Sequence, residues 1–252
     1  MSAGEYEIRN CRGLEELEAC VQLQKEVWQI PDLDLMPLRI FVVAQKVGGQ
    51  AIGCFHGEKL AGFLLALPGR RGGHSYLHSQ MLAVRPEHRD RGIGRRLKLA
   101  QREAALAEGI ELIEWTFDPL EIKNAFLNIA RLGAIARRYT TNQYGPSASP
   151  LQGGLPTDRL VAEWWLGSRR VQKALAGEKI DVHAQETIEV PVEIYAWKAM
   201  PAERAKALAV QSRNRERFLQ AFERGQAVVG YERDAAGNGR FLLGDWDEKW
   251  SY

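Results

Sequence analysis

Met81-Leu82-Ala83-Val84-Arg85-Pro86-Glu87-His88-Arg89-Asp90-Arg91-Gly92-Ile93-Gly94-Arg95-Arg96-Leu97 is the most informative stretch of the chain. An apolar strand ends at Val84, Pro86 blocks its continuation, and two glycines then open a helix. Glycine lets backbone N–H groups come close to a bulky anion. The first turn of a helix also has unpaired donors and a partial positive charge. Arg89, Arg91, Arg95 and Arg96 add counter-charge. The physical reading is a diphosphate cradle at a strand-to-helix junction. It is not a dinucleotide fingerprint, because Leu97 stands where a third glycine would be, and there is no Walker sequence.

Working outward, the helix is expected from about Gly92 to Glu108. Ile93, Leu97, Ala100 and Ala104 keep helical spacing, with Arg95, Arg96, Lys98 and Arg102 facing elsewhere. Upstream the pattern predicts a short strand at Glu5–Arg9, a helix through Leu14, Leu17, Val21 and Trp28, and a second helix from Pro37 to Val47. Strands follow at Gln50–His56, Leu60–Leu67 and Ser75–Val84. Downstream come a strand at Ile110–Phe117, a helix through Leu132 stopped by Gly133, and strands at Ala134–Thr141 and Leu160–Leu166. Gln143–Asp158 carries prolines and glycines and reads as a long loop, a length that points to function or mobility. The tail reads as a strand at Glu189–Lys198, a helix over Ala202–Arg224 and a hairpin, Ala227–Arg233 with Arg240–Leu243, turned by Gly237-Asn238-Gly239.

Bulk properties narrow the class. The 252 residues are 45% hydrophobic and 26% charged, enough to bury a core without disulfides or metals. A formal charge of +2 provides no global field for nucleic acid or an anionic membrane. The basic run Arg89–Arg102 has no interleaved aromatic stacking residues. Cys11, Cys20 and Cys54 show no metal-ligand or disulfide spacing. The opening MSAGEYEIRN lacks an apolar signal core and no apolar run reaches membrane-spanning length, so the expected location is cytoplasmic.

The motif Arg89-x-x-Gly92-x-Gly94, preceded by Leu82, Val84 and Pro86, together with the order of elements from about residue 5 to 166, resembles the GNAT superfamily of acyl-CoA-dependent N-acyltransferases. Trp115-Thr116-Phe117-Asp118-Pro119-Leu120, Asn124-Ala125 and Gly154-Leu155-Pro156-Thr157-Asp158-Arg159 are similar to a little-characterised bacterial branch of acetyltransferases. The resemblance implies a mixed α/β (α+β) fold with a mostly antiparallel central sheet flanked by helices. It implies a catalytic domain over 1–168 and a strand-helix-hairpin extension over 185–252 packed on it. The co-substrate implied is acetyl-CoA or another acyl-CoA, with no metal. Leu82, Ala83 and Val84 would meet the pantetheine arm and thioester. Arg89, Asp90, Arg91, Gly92, Ile93, Gly94, Arg95 and Arg96 would hold the pyrophosphate, with Asn124 also at the cofactor.

For the proton that must leave the attacking amine, His78 occupies the position of a base found in some relatives, with Glu114 and Asp118 as rivals. The tyrosine that many relatives use to protonate the leaving thiolate is replaced by Ile129, and a common asparagine by Ile122, with Asn128 close by; Tyr139 and Tyr144 are the candidate substitutes. Trp28, Ile30–Met36 and the Gln143–Asp158 loop are expected to cover the acceptor, and Arg39, Arg137 or Arg138 to bind a carboxylate on it. The implied activity is transfer to a primary amine of a small molecule such as an amino acid. A non-catalytic acyl-CoA sensor and a protein-lysine acyltransferase are the alternatives. Trp246 and Trp250 suggest a docked tail that extends the sheet, shapes the acceptor site or pairs subunits into a homodimer.

Overall fold

The computed structural model describes residues 6–147 and 149–246; Glu5 and Trp250 lie outside the described residues. The chain divides into two compact units, one running to Ile113 and one from Glu114 onward.

The first unit is built on four antiparallel strands in the order β1-β2-β3-β4: β1 (Tyr6–Asn10), β2 (Gln50–His56), β3 (Lys59–Arg71) and β4 (His74–Val84). β3 runs on to Arg71, past its expected end at Leu67, and Gly72 and Gly73, both at positive φ, make the tight reversal. Helices α1 (Gly13–Trp28) and α2 (Leu38–Lys46) cover one face. There Leu17, Cys20, Leu23 and Phe41 pack on Phe55, Phe63, Leu65 and Ala83. Helix α3 (Ile93–Ala107) covers the other face: a Cβ on Gly62 of β3 would lie 3.4 Å from Ile93 Cγ2.

The stripe that α3 buries differs from the apolar one expected. It is Ile93, Leu97, Gln101 and Ala105, with Lys98 beside them, while Ala100 and Ala104 are only half-buried. This stripe keeps i, i+4 spacing but includes two polar residues, which hid it from a hydrophobicity pattern.

In the second unit the strand order is β5-β7-β6-β9-β10-β8. Here β5 (Leu112–Phe117) begins at the junction between units, and β6 (Ile135–Thr140) and β7 (Arg159–Trp165) precede α5 (Arg169–Ala176), for which the sequence reading had no element. Its signals are present, since Ser168 caps it through Val171 N–H and Gly177 ends it at φ 77°. The helix expected after β5 is a single α turn, α4 (Ile122–Ala125), continued by a π-helical turn over Phe126–Arg131.

The strand expected at Glu189–Lys198 is corrected. Only β8 (Glu186–Val190) is extended; Pro191 ends it, and Ile194–Ala199 forms helix α6, which buries Ile194 and Lys198 one turn apart. Alternating apolar residues in a run this short fit either period, and packing decided. Helix α7 (Arg204–Glu223) and the hairpin β9 (Ala227–Arg233) and β10 (Gly239–Gly244) complete the extension. The hairpin extends the second unit's sheet, with β9 pairing β6 at Ala136↔Val228. The observed architecture is therefore the expected mixed α/β arrangement, mostly antiparallel and flanked by helices.

Candidate acyl-CoA site

β4 carries one irregularity that decides what its side chains face. Leu65 pairs with Met81 but Ala66 pairs with Ser79, so Gln80 is an extra residue, a β-bulge. Residues paired across two strands share a face. Met81 and Ala83 therefore lie with Leu65 and Phe63 on the α1/α2 face, and Leu82 lies with Leu64 on the α3 face. Past the bulge the parity reverses. Ser79, opposite Ala66, turns to α3, and half-buried His78, opposite Leu67, turns to the α1/α2 face. Simple alternation would have placed His78 with Leu82 and Val84.

After Val84 the chain makes a short 3-10 turn at Pro86–His88, passes through Asp90 at φ 58°, and reaches Gly92 at φ 73° as the residue ahead of α3. Left-handed backbone at Gly92 favours glycine. A Cβ there would meet nothing within 4 Å, and one on Gly94 would sit 3.6 Å from Leu82 Cδ2. The Arg96 N–H bonds to Gly92 O at 3.0 Å, so the amides of Ile93, Gly94 and Arg95 precede that bond, in the donor-rich first turn. This open, glycine-lined helix start fits a diphosphate.

The arginines divide in role. Arg89 and Arg91 are exposed and Arg95 is half-exposed, while Arg89 Nε donates to Val84 O at 3.2 Å. Arg96 donates to Tyr6 O at 2.8 Å, a structural contact. The Tyr6 hydroxyl is 2.8 Å from His88 Nδ1, so β1 grips the cradle on both flanks. Leu82 and Val84 are half-buried and Ala83 is buried at the end of β4.

The remaining candidates lie in the second unit, mostly in ionic networks. Glu114 is buried and accepts from Arg138 Nη2; buried Glu163 accepts from Arg137 Nε at 3.0 Å and from Arg138 Nε at 3.1 Å. Adjacent strand residues normally point to opposite faces. A register shift between Ala136 and Tyr139 lets both arginines reach one carboxylate. The guanidiniums read as candidates for an acceptor carboxylate thus already hold buried glutamates. Arg39 is exposed on α2 in the first unit.

Asp118 is buried. It accepts from Leu120 N–H at 2.8 Å through Oδ1 and from Lys198 Nζ at 3.0 Å through Oδ2; Lys198 also donates to Glu121 at 2.7 Å. Burial alone would lower the Lys198 pKa, but the two carboxylates outweigh it and hold it above the ordinary lysine value. A raised native pKa means stabilisation that is complete below lysine's unfolded value of about 10.4 and is lost as pH climbs through the native value. Lys198→Met should lower unfolding free energy by about 3–5 kcal/mol at neutral pH. In urea titrations the gap from wild type should shrink only in strong alkali. A gap that widens with pH would refute the ion-pair reading.

Tyr139 donates to Asp158 Oδ2 at 2.6 Å, and burial together with that bond holds its phenol above the ordinary tyrosine range. Asp158 is fully buried and also accepts from Asn142 N–H at 3.0 Å and Arg215 Nε at 2.7 Å. The Gln143–Asp158 loop is closed on itself and on α7. Thr157 Oγ1 donates to Gly145 O, while Gln152 and Gln211 both donate to Pro156 O at 2.9 Å. Asp158→Ala would strand Arg215 and the Tyr139 hydroxyl, and should cost about 2–3 kcal/mol, measured by urea unfolding. Tyr144 is exposed at the loop tip, its hydroxyl 2.8 Å from Thr116 Oγ1 of β5. Ile129 and Ile122 are buried, Asn124 is exposed, and Asn128 is buried with no hydrogen-bond partner for Nδ2.

Residues 14–127 match the profile of the Acetyltransferase (GNAT) family. Over those residues the chain is similar to the GNAT acetyltransferases. The match ends in the π-helical turn, and the cradle at the start of α3 lies wholly within it.

Solved structures agree on the fold. The ribosomal-protein-S18-alanine N-acetyltransferase of Escherichia coli is 15% identical with a TM-score of 0.52, over 65% of this chain and 96% of that one. A Salmonella typhimurium protein classed as an acetyltransferase, solved with its cofactor acetyl-CoA, is 15% identical with a TM-score of 0.53, over 65% of this chain and 95% of that one. A GNAT-family acetyltransferase of Streptococcus pneumoniae is 15% identical with a TM-score of 0.51, over 63% of this chain and 98% of that one. No curated protein matches the chain. Among the described residues no helix is long and apolar enough to cross a membrane, and no group of three or more His, Cys, Asp or Glu is placed to hold a metal ion.

Proposed function

We propose that this chain is an N-acyltransferase that moves an acetyl or other short acyl group from acyl-CoA to the primary amine of a small molecule. The observation that carries the reading is the start of α3. Gly92 is left-handed and open, the amides of Ile93 to Arg95 follow it, and Arg89 and Arg91 stand exposed beside it. Backbone donors and guanidiniums of this kind suit the pyrophosphate of CoA. The adjoining end of β4, Leu82 to Val84, is assigned to the pantetheine arm and the thioester.

The reaction needs no covalent enzyme intermediate. The amine lone pair attacks the thioester carbon, the carbonyl oxygen takes the negative charge, and the C–S bond breaks as the amide forms. Positioning and stabilisation of the oxyanion by backbone donors supply most of the acceleration. The amine must be unprotonated, and we assign His78 as the group that takes its proton. Its imidazole is half-buried on the strand that runs to the cradle, whereas Glu114 holds Arg138, Asp118 holds Lys198 and Tyr139 is bonded to Asp158. The catalytic domain is assigned to 1–168, and α7 of the extension is assigned to bracing the Gln143–Asp158 loop.

The test is a panel of acyl-CoAs against an amine library, read as free thiol. Thiol release that requires a particular amine supports the reading. A folded protein that shows no calorimetric affinity for CoA overturns it. A buried isoleucine at 129, where relatives place a phenol, favours a second reading as a non-catalytic acyl-CoA sensor. That reading predicts CoA binding with no thiol release across the whole panel.

A further inference from the structure

Lys98 is a lysine buried in the interior of the first unit, 4% exposed, on the inner stripe of α3. Its Nζ donates to Ser79 Oγ at 2.8 Å and to Gln101 Oε1 at 3.1 Å. Ser79 is the residue just before the Gln80 bulge, and it faces α3 only because of that bulge. Gly94, one turn before Lys98 on the same helical stripe, lies against Leu82, just beyond the bulge. Helix α3 therefore touches β4 on both sides of its irregularity, through Gly94 at one point and Lys98 at the other.

We infer that Lys98 is a positioning residue for acyl-CoA: through Ser79 it holds the bulged strand β4 in register with the phosphate-binding start of α3. The inference rests on the cradle assigned above. A bulge leaves a residue unpaired and the local ladder disrupted, so its register needs a tie from outside the sheet. A long side chain reaching from a packed helix supplies that tie. Burial keeps the amine well below the ordinary lysine pKa, which suits a group serving as a hydrogen-bond donor rather than a buried ion. The two parts so joined are the ones that must fit a single ligand at once, the diphosphate at the helix start and the thioester arm along the strand end. The amine acceptor is not involved.

The test is CoA binding by calorimetry, with thermal stability measured on the same samples. Wild type is read first. If it does not bind CoA, the cradle itself is wrong, and that outcome is distinct from failure of this inference. If wild type binds, Lys98→Met, which keeps volume but removes the donor, and Ser79→Ala, which removes the acceptor, should each weaken CoA binding about tenfold. The double variant should be no weaker than the worse single one, because both cut the same link. Ser79→Ala alone carries the test if Lys98→Met does not fold. Folded variants that lose melting temperature but bind CoA within twofold of wild type would overturn the inference, as would losses that multiply in the double variant.

Discussion

Gly92→Val is expected to weaken CoA binding by about a hundredfold or more while leaving a folded protein. Two effects combine. A β-branched residue is strained at the φ of 73° that Gly92 adopts, at a cost of about 1–2 kcal/mol. The side chain would also rise into the space that the pyrophosphate needs, since a Cβ there meets nothing from the protein within 4 Å. Hydrogen bonds to charged groups contribute about 1.5–3 kcal/mol each, so displacing two of them costs about 3 kcal/mol or more, and each 1.4 kcal/mol is tenfold in affinity. Gly94→Ala is the control. Its Cβ would make an ordinary 3.6 Å contact with Leu82 and should change affinity by less than about threefold. Titration of both variants by calorimetry, with circular dichroism for folding, decides the matter. A Gly92→Val protein that binds CoA as tightly as wild type would refute the cradle.

His78→Ala is expected to lower kcat about a hundredfold near neutral pH and leave CoA affinity within twofold of wild type, the effect of losing a general base that touches only the amine. A protonated imidazole cannot accept a proton from the amine, so only the neutral form serves as base. Wild-type kcat should therefore fall on the acid side, and that limb should be lost from the residual activity of His78→Ala. Steady-state rates across pH 5.5 to 8.5, with a fixed amine in excess, provide the check. An unchanged kcat, or an acid limb that survives the substitution, removes His78 from the role.

These two residues also mark how far local reading reaches. The strand ending at Val84, the break at Pro86 and the helix opened by Gly92 and Gly94 are properties of neighbouring residues, and all appear where the sequence placed them. The face presented by His78 is not local. It depends on whether β3 and β4 keep step, and the extra residue at Gln80 is visible only when the two strands are paired. Lys98 was equally opaque. A lysine reads as a solvent residue until a buried serine and glutamine are found beside it. In the tail, Glu189–Lys198 alternated like a strand, but β8 ends at Pro191 and burial of Ile194 with Lys198 makes the rest a helix.

Sequence by itself determined the order of most elements, the strand-to-helix cradle and the likeness to the GNAT superfamily, because backbone propensity, glycine and proline constraints and apolar spacing act over a few residues. Tertiary structure alone decided which carboxylates are held in ion pairs, how the Gln143–Asp158 loop is braced by Gln211 and Arg215, and which way the side chains before the bulge point. Those outcomes depend on partners tens of residues away, and a buried charge or an unpaired strand residue settles only where such a partner meets it.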